Sequence, residues 1–218
     1  FRYPVRLDTM ADFLKGKEEF SKMNEDALNK KSMDIVDYFL ARSLMTYSGK
    51  AYRIHDLIKE NLSAQIPEFR KREYHILAAR NYLGMENDPA RIEALHHLSL
   101  SGENDRTMEV LKKFGPSLTK RGYCDDLREI MAHFDPEDLD IVNRISYHYI
   151  LGEVHFVLGN WKESHRNHSA SVGICEKCGK ERLITRSKLK IAMLDDLQGK
   201  QMEAIEEYEE VSKLANRF

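Results

Sequence analysis

At 218 residues, the chain can form one large or two small domains. Its 34 basic and 36 acidic side chains give a formal net charge of −2, so no overall field favours nucleic acid or an anionic membrane. No apolar run approaches the ~20 residues that cross a bilayer, and no membrane partner is expected. Three cysteines, sparse and odd in number, predict a reducing, cytoplasmic location.

The N-terminal part contains the one stretch whose pattern predicts a β-hairpin. Apolar spacing first predicts helices over residues 7–15 and 25–44. Residues 44–47 and 51–54 then flank a turn that contains Gly49, the residue type that a tight hairpin favours. A new helix follows at once. Helix, hairpin and helix together predict a winged-helix domain over residues 1–62.

From Pro67 onward the pattern predicts one helix after another. Pro89, Pro116 and Pro136 are expected just inside helix starts, where a missing N–H does no harm, with Asp88 and Asp135 as N-caps. The predicted helices are 68–83, 89–100, 105–114, 116–121, 124–134, 136–158, 161–178, 180–197 and 201–218.

The turns between these helices repeat. Gly122, Gly159 and Gly199 each end one helix shortly before the next begins, at intervals of 37 and 40 positions. Gly152 and Ala192 each lie seven positions before a turn glycine and allow two helices to pack closely. Such a period predicts a stacked solenoid of helix pairs.

Positions within the pairs resemble tetratricopeptide (TPR) repeats over roughly residues 105–218. Five positions after the turn glycine stand the small residues Ser164 and Ala204. Nine positions after it an aromatic residue is usual; Tyr208 fits this pattern and His168 departs from it. The expected fold is therefore mainly α, with a winged-helix domain followed by a TPR-like helical repeat domain over residues 63–218.

Three segments together resemble the winged-helix domain of signal-transduction ATPases with numerous domains (STAND, NB-ARC-like), a class that includes the apoptosome and plant resistance ATPases. The segments are Phe1–Val5, Arg42–Leu44 and Tyr52–Leu57. In that family a P-loop nucleotide-binding domain precedes the winged helix and repeats follow it. Because the chain opens on Phe1 rather than Met, we expect it to be a piece of a longer protein.

The family's apolar-His-Asp motif falls here on Ile54, His55 and Asp56. The resemblance implies that His55 approaches the β-phosphate of ADP held by the neighbouring nucleotide-binding domain, and that Asp56 holds the local turn. An imidazole N–H can donate to a phosphate oxygen, so the chemistry is reasonable. The same two residues also suit an ordinary helix start, because an acidic side chain there favours the helix dipole.

The sequence contains no Gly-x-x-x-x-Gly-Lys-Ser/Thr, so no P-loop lies in this chain. We therefore expect it to be non-catalytic and to hold no cofactor itself, with ATP or ADP bound elsewhere in the parent protein. His165, His168, Cys175 and Cys178 have a zinc-like spacing. On one helix the two pairs would stand ~15 Å apart, too far for one ion, and no metal site is expected.

One histidine of the pair His96 and His97 is expected to be a satisfied interface residue. DNA binding by residues 25–55 is weighed as an alternative, because winged helices commonly read DNA. Lys30, Lys31, Lys50 and Arg53 supply positive charge there. The acidic residues Glu25, Asp26, Asp34 and Asp37 on the same helix make DNA an unfavoured partner.

The function predicted from these patterns is that of a regulatory sensor fragment. Its repeats would bind a protein, a peptide or a small inducer, and its winged helix would couple that event to the adjacent nucleotide-binding domain. Two alternatives stay open: a winged-helix transcription regulator with a TPR-like sensor, and a plain TPR adaptor.

Overall fold

The computed structural model describes residues 5–217, except for the side chain of residue 181. Within that part the chain forms eleven α-helices and one antiparallel two-stranded hairpin. None of the described helices is both long and apolar enough to cross a membrane. The chain divides into two compact units between Gly102 and Glu103, downstream of the predicted domain boundary at residue 62. That boundary stays a prediction.

The first unit combines five helices with the hairpin. Helix α1 packs on α2 and on α4, and α4 packs lengthwise on α5. Its elements are α1 (Leu7–Lys15), a 3₁₀ turn (Glu18–Phe20), α2 (Glu25–Leu40), β1 (Met45–Ser48), β2 (Ala51–Ile54), α3 (Asp56–Gln65), α4 (Glu68–Leu83) and α5 (Asp88–Ser101).

The predicted hairpin is confirmed, and its turn explains its register. Gly49 and Lys50 have φ of 58° and 66°, so both central residues are left-handed, as a type I′ turn requires. This turn pairs Ser48 with Ala51 and continues to the Met45 and Ile54 pair. A single bridge from Val5 to Tyr52 adds two hydrogen bonds of 2.8 Å to the open side of β2. Residues 1–4 of the family resemblance lie outside the described residues.

Two details of the first unit differ from prediction. Helix α2 ends at Leu40 and not at residue 44, because Ser43 turns the chain with a φ of 53°. The N-cap of α5 is Asn87 and not Asp88: the Asn87 side chain accepts the Ala90 N–H at 2.9 Å. Asp88 instead lies in the first turn, where it pairs with Arg91 at 2.7 Å.

The second unit is a series of three helix pairs. Within it α6 packs on α7 and α8, α8 on α9, α9 on α10, and α10 on α11. Its elements are α6 (Asn104–Lys120), α7 (Cys124–Met131), a 3₁₀ turn (Pro136–Asp138), α8 (Ile141–Val157), α9 (Trp161–Cys178), α10 (Glu181–Leu197) and α11 (Gln201–Ala215).

One proline was assigned to the wrong kind of position, and another begins a shorter element than predicted, with its predicted N-cap Asp135. Pro116 begins no helix but lies inside the unbroken helix α6, where tertiary packing compensates for one missing backbone hydrogen bond. Pro136 begins a 3₁₀ turn, which Asp135 caps through the Glu137 N–H. Helix α8 starts only after Asp140, whose carboxylate accepts the N–H groups of the next turn.

Candidate functional site

His55 and Asp56 lie where β2 ends and α3 begins. The His55 N–H donates to the Leu44 carbonyl at 3.2 Å, which closes the base of the hairpin. The His55 carbonyl accepts the N–H groups of Ile58 and Lys59 at 2.9 and 3.0 Å and so starts the helix. Both side chains are exposed, and the imidazole caps no helix N–H. The backbone of His55 is thus fixed while its ring stays accessible; the contact with ADP stays a prediction.

The surface of α2 carries charges of both signs. Lys30 and Lys31 are exposed, and so are Asp34 and Asp37 one turn later. A helix that reads DNA places cations and hydrogen-bond donors against phosphates and base edges, and carboxylates on the same surface repel the phosphates. The exposed charges of α2 therefore do not favour the DNA-binding alternative.

Small residues near each turn let the helices of a pair approach closely. Ser164 is fully buried in α9, and its hydroxyl donates to the Gly152 carbonyl of α8 at 2.8 Å. Ala204, at the same position of the next pair, is 2% exposed. A Cβ on Gly152 would stand 2.7 Å from the His168 ring, so only glycine fits there. The predicted close packing at these positions is confirmed.

A groove crosses the first helices of the three pairs in the second unit. It encloses about 240 Å³ and is lined by α6, α8 and α10, together with Ser171 of α9. Lys112 and Arg186 are exposed on its opposite sides, and Tyr149 lies between them. The Arg186 guanidinium stands 4.4 Å from the centre of the Tyr149 ring. Ser146 and Ser187 also line the groove, but their hydroxyls donate to Val142 and Ser171 inside the fold, so the groove offers a ligand cations and an aromatic face.

Asn143 holds the Lys112 side of the groove in place. It is 6% exposed, and its side-chain oxygen accepts from Lys112 Nζ at 2.8 Å. Its amide nitrogen donates to the carboxylates of Asp105 and Asp140 at 3.0 and 2.7 Å. The buried amide therefore fixes the position of the lysine ammonium while leaving two of its three donors available.

A buried polar network lies beside the groove, between α8, α9 and α10. His168 is fully buried, with its Nε2 3.4 Å from Glu153 Oε1, and Lys190 Nζ lies 2.9 Å from Glu153 Oε2. Burial alone would raise the pKa of Glu153, but its contacts with His168 and with the Lys190 ammonium outweigh this and hold the pKa below its ordinary value. Glu153 is therefore ionised at neutral pH and links three helices.

The sequence did not single out the residues that line the groove. Lys112, Tyr149 and Arg186 belong to three different helices, and nothing in their local spacing marks them. Their common feature is only visible in the repeat register, because each lies on the first helix of its pair. Alignment of the pairs on their turn glycines matches Lys112 with Tyr149, each ten positions before its glycine, whereas Arg186 stands thirteen positions before Gly199 and falls outside that register.

The fold does not bring together the four residues of α9 that have a zinc-like spacing. The helix runs unbroken from Trp161 to Cys178, so the His165 and His168 pair stays two to three turns from the cysteines. Burial raises the pKa of the Cys175 thiol, which disfavours the thiolate that a metal needs. Among the described residues no group of three or more His, Cys, Asp or Glu could hold a metal ion.

Of the two neighbouring histidines on α5, His97 faces helix α4. His97 is 5% exposed, and its Nδ1 lies 2.8 Å from Nδ1 of His75 on α4. Tyr82 stacks on the His97 ring, and burial together with the Glu93 charge raises the pKa of the tyrosine. His97 therefore lies in the interface between α4 and α5, as predicted for one of the two histidines, and its Nδ1 is the ring atom that faces His75.

No family model matches the chain, and no curated protein matches it. Among solved structures it is similar to a signal-transduction ATPase with numerous domains that has a tetratricopeptide repeat sensor, from Pyrococcus horikoshii, at 12% identity. That match covers 99% of this chain but 36% of the other, so the chain spans about a third of that protein's length. Its TM-score is 0.42.

Proposed function

We propose that this chain is the non-catalytic sensor region of a signalling ATPase. Its TPR-like pairs bind a protein, a peptide or a small inducer, and the unit that contains the hairpin couples binding to a neighbouring domain that holds ATP or ADP. The observation that carries the sensing part is the groove across α6, α8 and α10, with Lys112 and Arg186 on its two sides. The coupling part rests on the family resemblance of residues 52–57 and on the exposed ring of His55.

The groove favours a ligand with an acidic group. Lys112 is held by Asn143 at 2.8 Å and Arg186 lies over Tyr149, so two cations are already oriented before a ligand arrives. Because less side-chain freedom is lost on binding, oriented donors give a tighter complex than mobile surface lysines do. An aspartate or glutamate side chain, a C-terminal carboxylate or a phosphate can each satisfy them.

Peptide binding to this chain tests the groove. A labelled hexaglutamate peptide should bind more tightly than hexaglutamine at low salt, as measured by fluorescence anisotropy. Lys112→Gln should weaken that binding about tenfold or more, because one charge-assisted hydrogen bond is lost. Lys113→Gln, an equal charge change on the next residue, is the matched control and should stay within about twofold. Equal losses in both variants would show a nonspecific charge effect and contradict the proposal.

Nucleotide release from the parent protein tests the coupling. His55→Ala should speed ADP release about tenfold, because one hydrogen bond to a charged phosphate is lost. Glu60→Ala, another exposed side chain on α3, should leave release unchanged. Unchanged release in His55→Ala would sink the nucleotide-sensing role. Salt-dependent binding of duplex DNA by this chain would instead support the transcription-regulator alternative.

A further inference from the structure

The first unit contains an apolar cavity between α1, α2 and the hairpin. Its volume is about 230 Å³, and the first turn of α3 contributes to its lining. Aliphatic and aromatic side chains of three elements form its walls: Phe13 and Leu14 of α1, Ile35 and Phe39 of α2, and Met45 and Ile54 of the hairpin.

The wall side chains do not fill the space between them. Helices α1 and α2 pack together, yet the four wall residues that they contribute stay partly exposed. The walls of a void lack contact atoms on one side, and a ligand that enters it supplies those contacts. An apolar cavity of ~150 Å³ stays free of water and takes up benzene, so this larger one has room for a single ring with a short substituent.

The charged residues of the lining do not select an ion. Arg53, Asp56 and Lys59 are exposed and so mark the opening of the cavity. Neighbouring residues of a strand point to opposite faces, so the Arg53 side chain lies on the other face of the hairpin from Ile54. Asp56 and Lys59 have opposite charges. A charged ligand would lose its hydration among apolar walls without gaining a partner, which favours an uncharged one.

Ser32 of α2 supplies the lining with one buried polar group. It is 1% exposed, and its hydroxyl has no hydrogen-bond partner among the residues that the structure describes. A serine inside a helix commonly bonds the carbonyl four residues before it, as Ser146 does with Val142 at 2.9 Å. Because no such bond holds the Ser32 hydroxyl, a change of its χ1 rotamer is enough to turn it toward a ligand.

We propose that this cavity binds a small uncharged molecule with an apolar body the size of one ring and a single hydroxyl or carbonyl group, which bonds the Ser32 hydroxyl. Ile54 and Asp56, the two neighbours of His55 in the chain, both line the cavity. The ligand therefore contacts the segment that carries the predicted nucleotide contact. The cavity lies in the first unit and is separate from the groove across α6, α8 and α10, so neither proposal depends on the other.

Benzyl alcohol, toluene and benzoate share one ring and test the chemistry of the cavity. The NMR signals of ¹³C-labelled methionine methyl groups locate binding in the whole chain, because Met10 and Met45 line the cavity and Met33, exposed on α2, does not. Benzyl alcohol should shift the signals of Met10 and Met45 and leave that of Met33 unchanged. Benzoate should bind at least about tenfold more weakly, since its charge finds no partner inside. Unchanged Met10 and Met45 signals, or equally tight binding of benzoate, would overturn the proposal.

Ser32→Ala tests the polar contact. It should weaken the binding of benzyl alcohol about fivefold, the loss of one neutral hydrogen bond, and change that of toluene less than about twofold. The melting temperature without ligand should not fall, because the substitution removes a buried hydroxyl that has no partner. Equal changes for the two ligands would contradict the assigned role of Ser32.

Ile35→Phe tests the cavity itself. The larger side chain fills the space, so it should weaken the binding of both uncharged ligands about tenfold or more while the melting temperature stays level or rises. Met33→Phe enlarges a side chain of the same helix outside the cavity and is the matched control, with an expected change below about twofold. Leu14→Phe fills the same space from α1 if Ile35→Phe does not fold. Undiminished binding in either folded cavity variant, or equal losses in Met33→Phe, would overturn the proposal.

Discussion

Each unit buries a histidine beside a glutamate, but the two units satisfy that glutamate differently. In the first unit His97 Nε2 lies 3.8 Å from Glu93, and its Nδ1 faces the Nδ1 of His75 at 2.8 Å. In the second unit His168 lies 3.4 Å from Glu153, whose other oxygen is held by Lys190 at 2.9 Å. One network therefore contains two titratable imidazoles, and the other contains a permanent cation.

We therefore expect the network of the first unit to respond to pH and the network of the second unit to respond to changes in side-chain size. Two facing Nδ1 atoms can share a hydrogen bond only if one ring donates and the other keeps its lone pair, so His75 and His97 cannot both be imidazolium. The pair is thus vulnerable to protonation. In the second unit the lysine keeps Glu153 ionised, and tight packing against Gly152 fixes the His168 ring. That network is thus vulnerable to steric change.

Gly152→Ala should have the largest effect. The added methyl carbon would stand 2.7 Å from the buried His168 ring, and overpacking of this kind costs about 1–3 kcal/mol. Alanine recovers up to about 1 kcal/mol through its helix propensity, so a net loss of up to about 2 kcal/mol is expected in urea unfolding. In a His168→Ala background the loss should shrink, which a double-mutant cycle would measure.

Gly173→Ala is the control for that change. Gly173 lies in the same helix pair, on α9, and a Cβ there would meet nothing within 4 Å. It should stabilise the protein by about 0.5–1 kcal/mol, since only the propensity term acts. A similar destabilisation by both alanines would show that the His168 contact is not the cause.

Lys190→Met should have the next largest effect. It removes the cation from Glu153 while keeping the length of the side chain, and we expect a loss of about 1 kcal/mol at pH 7. The pKa of Glu153 should rise, because burial then acts with less compensation. Lys213→Met removes an exposed pair with Glu209, 3.8 Å long, and should cost less than about 0.5 kcal/mol. An equal loss in both variants would contradict a special role for the buried network.

The pH dependence of the stability loss in Lys190→Met follows from the direction of the Glu153 pKa shift. A carboxyl whose pKa is lowered in the folded state stabilises it above the ordinary value of 4.5, and this contribution is lost as the pH falls through the folded pKa. The difference between the native protein and Lys190→Met should therefore narrow in acid below 4.5.

Local sequence patterns predicted the hairpin and the helix pairs. They could not predict the groove or the facing histidines, because these depend on contacts between residues far apart in the sequence. The glycine turn at residues 49–50 and the period of the turn glycines depend on backbone preferences that neighbouring residues reveal. The groove side chains Lys112 and Arg186 lie on helices far apart in the sequence, so no local pattern joins them. The same holds for His75 and His97, where only the tertiary pairing of α4 with α5 brings the rings together.

Helix ends were predicted less well than helices, for a related reason. Asn87 and Asp88 are both good cap residues, and only the extended backbone at Asn87 decides between them. Pro116 resembles a helix start, yet the apolar contacts of α6 with the rest of the second unit carry the helix through it. In both cases the competing options differ by about 1–3 kcal/mol, which tertiary packing can overcome.

His75→Asn should have the smallest effect, confined to acid pH. Burial lowers the pKa of His75 below its ordinary value of 6.5, so the folded state favours the neutral ring. Its contribution is then complete above 6.5 and falls as the pH drops below that value, because the unfolded chain takes up the proton first. Asparagine keeps a hydrogen-bonding group near His97 but does not titrate.

Amide hydrogen exchange of α4 and α5 at pH 7.5 and 5.5 would measure the effect, after correction for intrinsic exchange rates. The native protein should lose protection in these helices at pH 5.5, and His75→Asn should lose less. Helices α8 and α9 provide the reference, since burial also lowers the pKa of His148 there and His75→Asn leaves that group unchanged. If His75→Asn reduces the loss of protection equally in α4 and α5 and in α8 and α9, His75 acts on overall stability. The proposed difference between the His97 network and the His168 network would then be contradicted.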